Sequence, residues 1–397
     1  MVEVWGMELL FGIGRFFLNP ATYILLLVAL FLGFHRIKRE RKDFNVRIHP
    51  FNLEWTELTL FGILAGVCVS AVMIALGAVL PLGFIVITSL LTVLFALTMQ
   101  PRLLSPAIVL GLSIIISLFL PSLSFNNLLV SNLIKDVTNG PLLVMAILLS
   151  VLIFAEGLLI LRKGHARTSP KLLKSKRGKQ IGAHEAKKLW MVSVLLLIPG
   201  DTLTAVFEWW PVIQTPFMTF SLLVVPFGVG FHQEVQASVP KPAIQQTGRR
   251  VLLLALVVAA LTVGAYWLPI LAIVAAVVAM VGREYITVRQ KMLDDDKVPF
   301  FATNEKGMVI LDVIPGSPAE KMGLKVGEII IKVNGNQVRS EKEFYEALQV
   351  NRTYCKLEVL DYNGEVRFAQ RALYDGEHHE LGILFVHDEK QWTNEAV

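Results

Sequence analysis

The first place to look for chemistry is His184–Glu185, which begins a near match to H-E-x-x-H. In that helical pattern two histidines hold zinc and the glutamate acts as general base. Here Lys188 stands where the second ligand is needed. His232 and Glu234 have the wrong spacing, and His378, His379 and Glu380 are followed by no histidine at helical distance. No G-x-S-x-G or other serine-nucleophile context occurs in the apolar runs. Two carboxylates inside apolar runs remain, Glu156 in SVLIFAEGLLI and Asp201 in LLLIPGDTLTAV. An ionisable group within a membrane span is costly and points to a transport or proton pathway. The structural alternative carries more weight for both. Glu156 lies about two turns from Arg162 and can snorkel toward it, while Asp201 follows Pro199 and Gly200, where a kink frees backbone groups. The sequence therefore offers no catalytic residue, no cofactor-binding residue and no metal ligand set.

The elements that position these residues are apolar runs. The chain has 397 residues, 54% hydrophobic and 17% charged, with mean hydropathy +0.59. Soluble domains carry about 25% charged residues, so much of this surface must face lipid. The charge is split: positions 283–397 carry 15 Lys/Arg against 20 Asp/Glu, leaving 22 against 12 in positions 1–282. That division predicts a basic multi-span region at 1–282, a linker helix at 283–299 and an acidic soluble domain at 300–390. Two cysteines, Cys68 and Cys355, are too few for a disulfide framework and suggest a reducing compartment. Residues 1–11 lack the basic start of a cleavable signal peptide.

A spanning helix needs about 20 apolar residues. By that ruler the spans fall near Pro20–Phe34, Leu58–Leu80, Leu82–Met99, Leu103–Leu120, Pro141–Leu161, Leu189–Trp209 and Phe217–Phe231. Val251–Val281 then reads as two helices around Tyr266–Pro269. The total is about eight, give or take two, with Leu9–Leu18 ambiguous because of Arg15. Pro121–Gly140 reads as a polar outside loop, and Trp209–Trp210 as an interfacial aromatic pair. The basic segments His35–Lys42 and Arg162–Lys179, together with Arg102, Arg249, Arg250 and Arg283, all fall on one side. Since Lys and Arg favour cytoplasmic loops, the soluble tail is expected in the cytoplasm. Arg162–Lys179 is either a topology determinant or a contact for anionic headgroups.

In the tail, Met308–Ile314 reads as a strand, and Ser317 and Pro318 as N-cap and first residue of a short helix closed by Gly323. Glu328–Val333 is a second strand, turned by Asn334–Gly335. Ser340 with Glu343 caps a helix whose apolar stripe is Phe344, Ala347 and Leu348. A further hairpin spans Cys355–Leu373. The run from Val313 to Gly335, V-x-P-G-S-P-A-x-x-x-G-L-x-x-G-E-x-I-x-x-V-N-G, resembles bacterial PDZ domains, with Glu328 where Asp is more usual. The resemblance implies a small, partly open β-barrel with two helices that binds a peptide by strand addition, a loop of N–H groups holding its terminal carboxylate. It implies Ser340–Leu348 as the groove helix, contributing Phe344 and Leu348. Leu381, Gly382 and Ile383 match the carboxylate loop, as in a circularly permuted domain; the alternative is an ordinary final strand, Leu381–Val386.

The fold class expected is thus a polytopic α-helical membrane protein with a C-terminal α/β PDZ-like domain. The whole architecture resembles the MinJ family of division-site determinants of Gram-positive rods. W-G-x-E-L-L and F-F-L-x-P between Trp5 and Pro20, and R-I-K-R-E-R-K from Arg36, carry that resemblance. It implies a scaffold, not an enzyme, without cofactors, enriched at septum and poles. The implied partners are the polar coiled-coil protein DivIVA, the inhibitory ATPase MinD and other division proteins, with self-association open and no nucleic acid. Two other readings stand beside it: a transporter or sensor using Glu156 and Asp201, and a PDZ-containing intramembrane protease, for which no motif is present.

Overall fold

Apolar runs long enough to cross a bilayer become helices wherever their backbone must satisfy itself, because lipid offers no partner for N–H or C=O. The computed structural model describes residues 2–122, 127–175, 178–204, 207, 209–213, 219–302, 304–351, 353–373 and 381–386. The helices before the tail are α1 (Val2–Phe16), α2 (Pro20–Phe44), α3 (Leu53–Thr56), α4 (Gly62–Leu76), α5 (Leu82–Leu97), α6 (Pro106–Phe119), α7 (Leu128–Asn139) and α8 (Leu142–Leu159). A π-helical turn joins α3 to α4, and another extends α8 to Gly164. Strands β1 (Ser169–Lys174), β2 (Gln180–Thr204) and β3 (Thr219–Val235) follow, then α9 (Pro240–Gly264) and α10 (Ile270–Asp295). Five helical stretches are long and apolar enough to cross a membrane: Pro20–Phe44, Leu53–Leu76, Leu142–Gly164, Pro240–Gly264 and Ile270–Asp295. The protein is a polytopic membrane protein, with α5 and α6 as shorter apolar helices.

Where the structure departs from the sequence reading, it does so around an extended hairpin. Of Leu189–Trp209 and Phe217–Phe231, expected as helical spans, residues 189–204 and 219–231 lie in β2 and β3, paired antiparallel from His184–Val235 to Thr204–Thr219. A strand buried on both faces shows no alternation, so its apolar run imitates a spanning helix. Pro199 sits at the register shift opposite Phe220, and Pro226 lies in β3, an edge strand of the three-stranded β1–β2–β3 sheet. Those are positions where a residue without N–H is tolerated. The expected outside loop Pro121–Gly140 contains α7. Of the expected aromatic pair, Trp209 is exposed and Trp210 is buried. Two helices do meet at Tyr266–Pro269, and α10 continues through the expected linker to Asp295.

An open sheet edge in the hydrocarbon layer must be covered by protein. Helix α4 covers β2 through Gly62, Gly66 and Ser70, spaced one turn apart. A Cβ on Gly62 would fall 2.2 Å from the Met191 carbonyl oxygen, and one on Gly66 would fall 2.1 Å from that of Ser193. Ser70 Oγ accepts from the Leu195 N–H at 2.7 Å. On the other edge, Glu8 Oε1 accepts from the Leu222 N–H at 3.1 Å while Arg15 donates to the Leu222 carbonyl at 2.7 Å. The charge of Arg15, which made its run ambiguous, thus serves the β3 edge. The hairpin and its helices share one large core, with Trp190, Phe231, Leu148 and Val258 all buried in it.

The tail folds as β4 (Met308–Val309), β5 (Asp312–Val313), α11 (Pro318–Lys321), β6 (Ile329–Val333), β7 (Asn336–Gln337), α12 (Glu341–Gln349), β8 (Tyr354–Leu360), β9 (Val366–Ala372) and β10 (Ile383–Leu384). One sheet runs β4–β6–β8–β9 with β7 on β6; β10 pairs with β5 in a second.

Candidate functional site

Local chemistry builds the domain as the turn residues require. Ser317 Oγ accepts from the Glu320 N–H, and Glu320 Oε2 accepts from the Gly316 N–H, satisfying two backbone donors around the start of α11. Ser340 Oγ accepts from the Glu343 N–H in the same way at α12. Asn334 and Gly335 both have positive φ, 50° and 89°, as a type I′ turn requires. Glu328 is buried and receives a forked contact from Arg367 at 2.9 and 2.5 Å. The longer acid thus keeps a charged partner in place of the more usual Asp.

The five residues singled out from the sequence come together. Leu381, Ile383, Phe344 and Leu348 are buried in one cluster with Phe385, whose ring lies 5.2 Å from that of Phe344. Gly382 adopts φ +79°, and a Cβ there would fall 2.3 Å from the Ser317 Cβ, so the position admits only glycine without strain. The Leu381 carbonyl accepts from the Ala319 N–H, and that of Gly382 from the Ile314 N–H. The segment is therefore a glycine turn feeding a two-residue strand, rather than one strand from Leu381 to Val386.

The domain is docked on the membrane unit. Gly182 of β2 donates to the Phe301 carbonyl at 2.7 Å, and the Phe300 N–H donates to the Gln236 carbonyl at 2.8 Å. Phe44, Ile48, Phe301, Val309, Leu311 and Leu384 form the apolar junction. His184 sits within it, with Nε2 at 2.8 Å from the Leu311 carbonyl oxygen and Nδ1 at 3.0 Å from Thr168 Oγ1. Burial pushes its pKa down to about 4, outweighing the bond to Leu311. The ring is therefore neutral, donating from Nε2 and accepting at Nδ1. The histidine of the incomplete zinc motif is a junction residue with both nitrogens engaged. Burial would raise Glu185, but His232 and Arg39 donate to it and hold it well below the carboxylate range. Asp312, on β5, is pushed up to about 7 by burial, despite the hydrogen bond from the Val313 N–H. His378, His379 and Glu380 lie outside the described residues.

Glu156 and Asp201 are not brought together. Glu156 is fully buried, accepting from Arg283 Nε and from Ser105 Oγ, each at 2.8 Å. Arg283, expected as the first residue of the linker helix, is its partner, in place of Arg162. Asp201 is exposed near the end of β2 remote from the PDZ domain, roughly 55 Å along the strand from His184 at about 3.3 Å per residue. Sequence reasoning missed the small-residue stripe of α4, although Gly62-x-x-x-Gly66-x-x-x-Ser70 is a recognisable close-packing signal.

Comparison with known proteins agrees with this architecture. A PDZ domain family model matches residues 309–360. The cell division topological determinant MinJ of Bacillus subtilis is 40% identical over 99% of this chain and 98% of its own length. The probable MinJ of Lacticaseibacillus paracasei is 26% identical over 94% of this chain and 97% of its own. The serine endoprotease DegS of Haemophilus influenzae is 36% identical over only 15% of this chain and 17% of its own. No solved structure matches. With membrane unit and PDZ domain aligned as one continuous whole, the chain belongs to the MinJ family of cell division topological determinants.

Proposed function

We propose that the protein is a membrane scaffold in division-site selection, which bridges a DivIVA-like polar and septal coiled-coil protein to a MinD-like inhibitor of septation. The observation that carries this reading is the similarity to MinJ along the whole chain, membrane unit included. The PDZ domain recruits some of the partners, from the cytoplasmic side. The glycine turn at Gly382 supports a carboxylate-binding role for Leu381, Gly382 and Ile383, with a partner peptide laid beside β10 and its terminal side chain toward Phe344 and Leu348. The reading includes no catalysis. In support, both nitrogens of His184 are engaged and burial pushes the Cys355 thiol up to about 12.

The test is a fluorescent fusion in a rod-shaped Gram-positive host lacking its own copy, full-length against a chain ending before Lys297, with cell length scored. Polar and septal signal with normal length in the full chain, and loss of a MinD-like partner from these sites in the shorter one, is the expected result. Uniform membrane signal together with normal division in cells lacking the protein would overturn it.

A further inference from the structure

At the PDZ-facing end of α2, a cavity of about 290 Å³ opens between α2, the start of α3, Arg167 and β2. Leu32 and Leu53 form its apolar wall, and apart from His35 and Ser169 the rest of the lining is charged. Three of its cations are already matched: Arg36 by Glu40 and Glu54, Arg39 by Glu185, and Lys188 by Glu57. Lys187 and Arg167 line the same cavity, and neither side chain forms a hydrogen bond or ion pair among the described residues; the Arg167 carbonyl accepts from Lys188 Nζ at 3.4 Å. Lys187 is half-buried and Arg167 is exposed. Even with Glu40 behind Arg36, five cations face four carboxylates, and one positive charge stays uncompensated.

The mouth of the cavity says what kind of anion could reach it. Phe31, Phe34 and Trp55 each adjoin a lining residue in sequence and Phe51 lies two residues from Leu53; all four are more than 40% exposed. Aromatic side chains gather at the headgroup level of a bilayer, where one end is apolar and the other wet. The site therefore combines an unmatched positive charge with exposed aromatic residues on the segments that line it. We propose that this cavity holds the phosphate of an anionic diacyl phospholipid from the leaflet facing the PDZ domain, with Lys187 and Arg167 as its ligands and the acyl chains along these aromatic residues. A phosphodiester carries a single negative charge, which matches the excess. Lys187 is three residues from His184, so the lipid sits beside the strand segment that holds the PDZ domain.

The experiment uses the full chain in nanodiscs of phosphatidylcholine alone or mixed with phosphatidylglycerol, and native mass spectrometry reads the lipid retained after release. The wild type should keep phosphatidylglycerol in preference to phosphatidylcholine. Lys187→Gln combined with Arg167→Gln should lower that preference by about tenfold or more, while Lys187→Arg keeps it. Lys38→Gln with Arg41→Gln, on the exposed face of α2, should leave it unchanged. Equal retention by wild type and the double glutamine variant would overturn the proposal, as would equal loss from the exposed pair. Inorganic phosphate is added as the second arm. If it alone displaces the retained lipid, the site binds free phosphate and the lipid assignment fails.

Discussion

Arg283 donates to Glu156 at 2.8 Å where both side chains are almost wholly buried, 3% and 0% exposed, and Ser105 completes the carboxylate's shell. The pair ties α10 to α8 and holds the beginning of α6, so its energetics belong to helix packing.

Breaking one half of such a pair leaves a buried charge without compensation. Glu156→Gln should lower the thermal midpoint of the detergent-solubilised chain, the cost being about 3 to 5 kcal/mol. Glu156→Leu with Arg283→Met should recover most of it, because removing both charges also removes their desolvation cost. Septal localisation of the double variant should persist. Loss of function in a double variant of normal stability would revive a transport role.

The contact of α4 with β2 leaves no room for a side chain. Gly66→Leu should abolish monodisperse accumulation in fluorescence-detected size-exclusion chromatography, and Gly62→Ala should reduce it. A Cβ on Gly14, in α1, would meet nothing within 4 Å. Gly14→Ala is thus the control expected to behave as wild type.

Docking of the PDZ domain involves two buried titrating groups of opposite sense. His184, faced by Thr168, His49 and the Leu311 carbonyl, has its pKa pushed from 6.5 to about 4. When freed it takes up a proton that it refuses when docked, so its contribution is lost as pH falls from about 6.5 to 4. Asp312, faced by Glu40, is pushed from 3.8 to about 7, so its contribution is lost as pH rises over that range. The two offset one another between about 4 and 6.5. Asp312→Asn removes one side of the balance. The variant should gain stability steadily as pH rises through that window, and at pH 7.5 should melt several degrees above wild type, followed by tryptophan fluorescence. An unchanged midpoint at pH 7.5 would show that burial does not raise the pKa of Asp312.

Gly382→Ala places a Cβ against Ser317 in a left-handed backbone, which costs an ordinary residue about 1 to 2 kcal/mol before any clash. The thermal midpoint should fall by a few degrees, and capture of a partner's C-terminal peptide should be lost. Gly316→Ala also strains a positive φ but meets nothing within 4 Å. It should share the first effect without the second, as read by fluorescence anisotropy of a labelled peptide.

The PDZ domain was legible because its signals are local: Ser317–Pro318, Asn334–Gly335 and Ser340–Glu343 each fix a turn or a cap within a few residues. The extended hairpin was not, because Val192, Val194 and Ile198 on β2, with Val224, Val225 and Val229 on β3, lie in runs buried on both faces. Such runs carry neither the two-residue nor the 3.6-residue period. Spacing sufficed to dismiss His184 as a zinc ligand, yet its partner Leu311 is 127 positions away, and so is Arg283 from Glu156. Partners at that distance are set by packing, which no window of sequence contains.

Strand β10 is only two residues long, and successive side chains point to opposite faces. Ile383 enters the domain's interior beside Phe344, while Leu384 enters the junction with Phe44 and Ile48. Whatever straightens or shifts this strand from the groove side must also press on the end of the first membrane helix. Membrane anchor and PDZ interior therefore share a single thin wall, so a displacement on one side has a mechanical counterpart on the other.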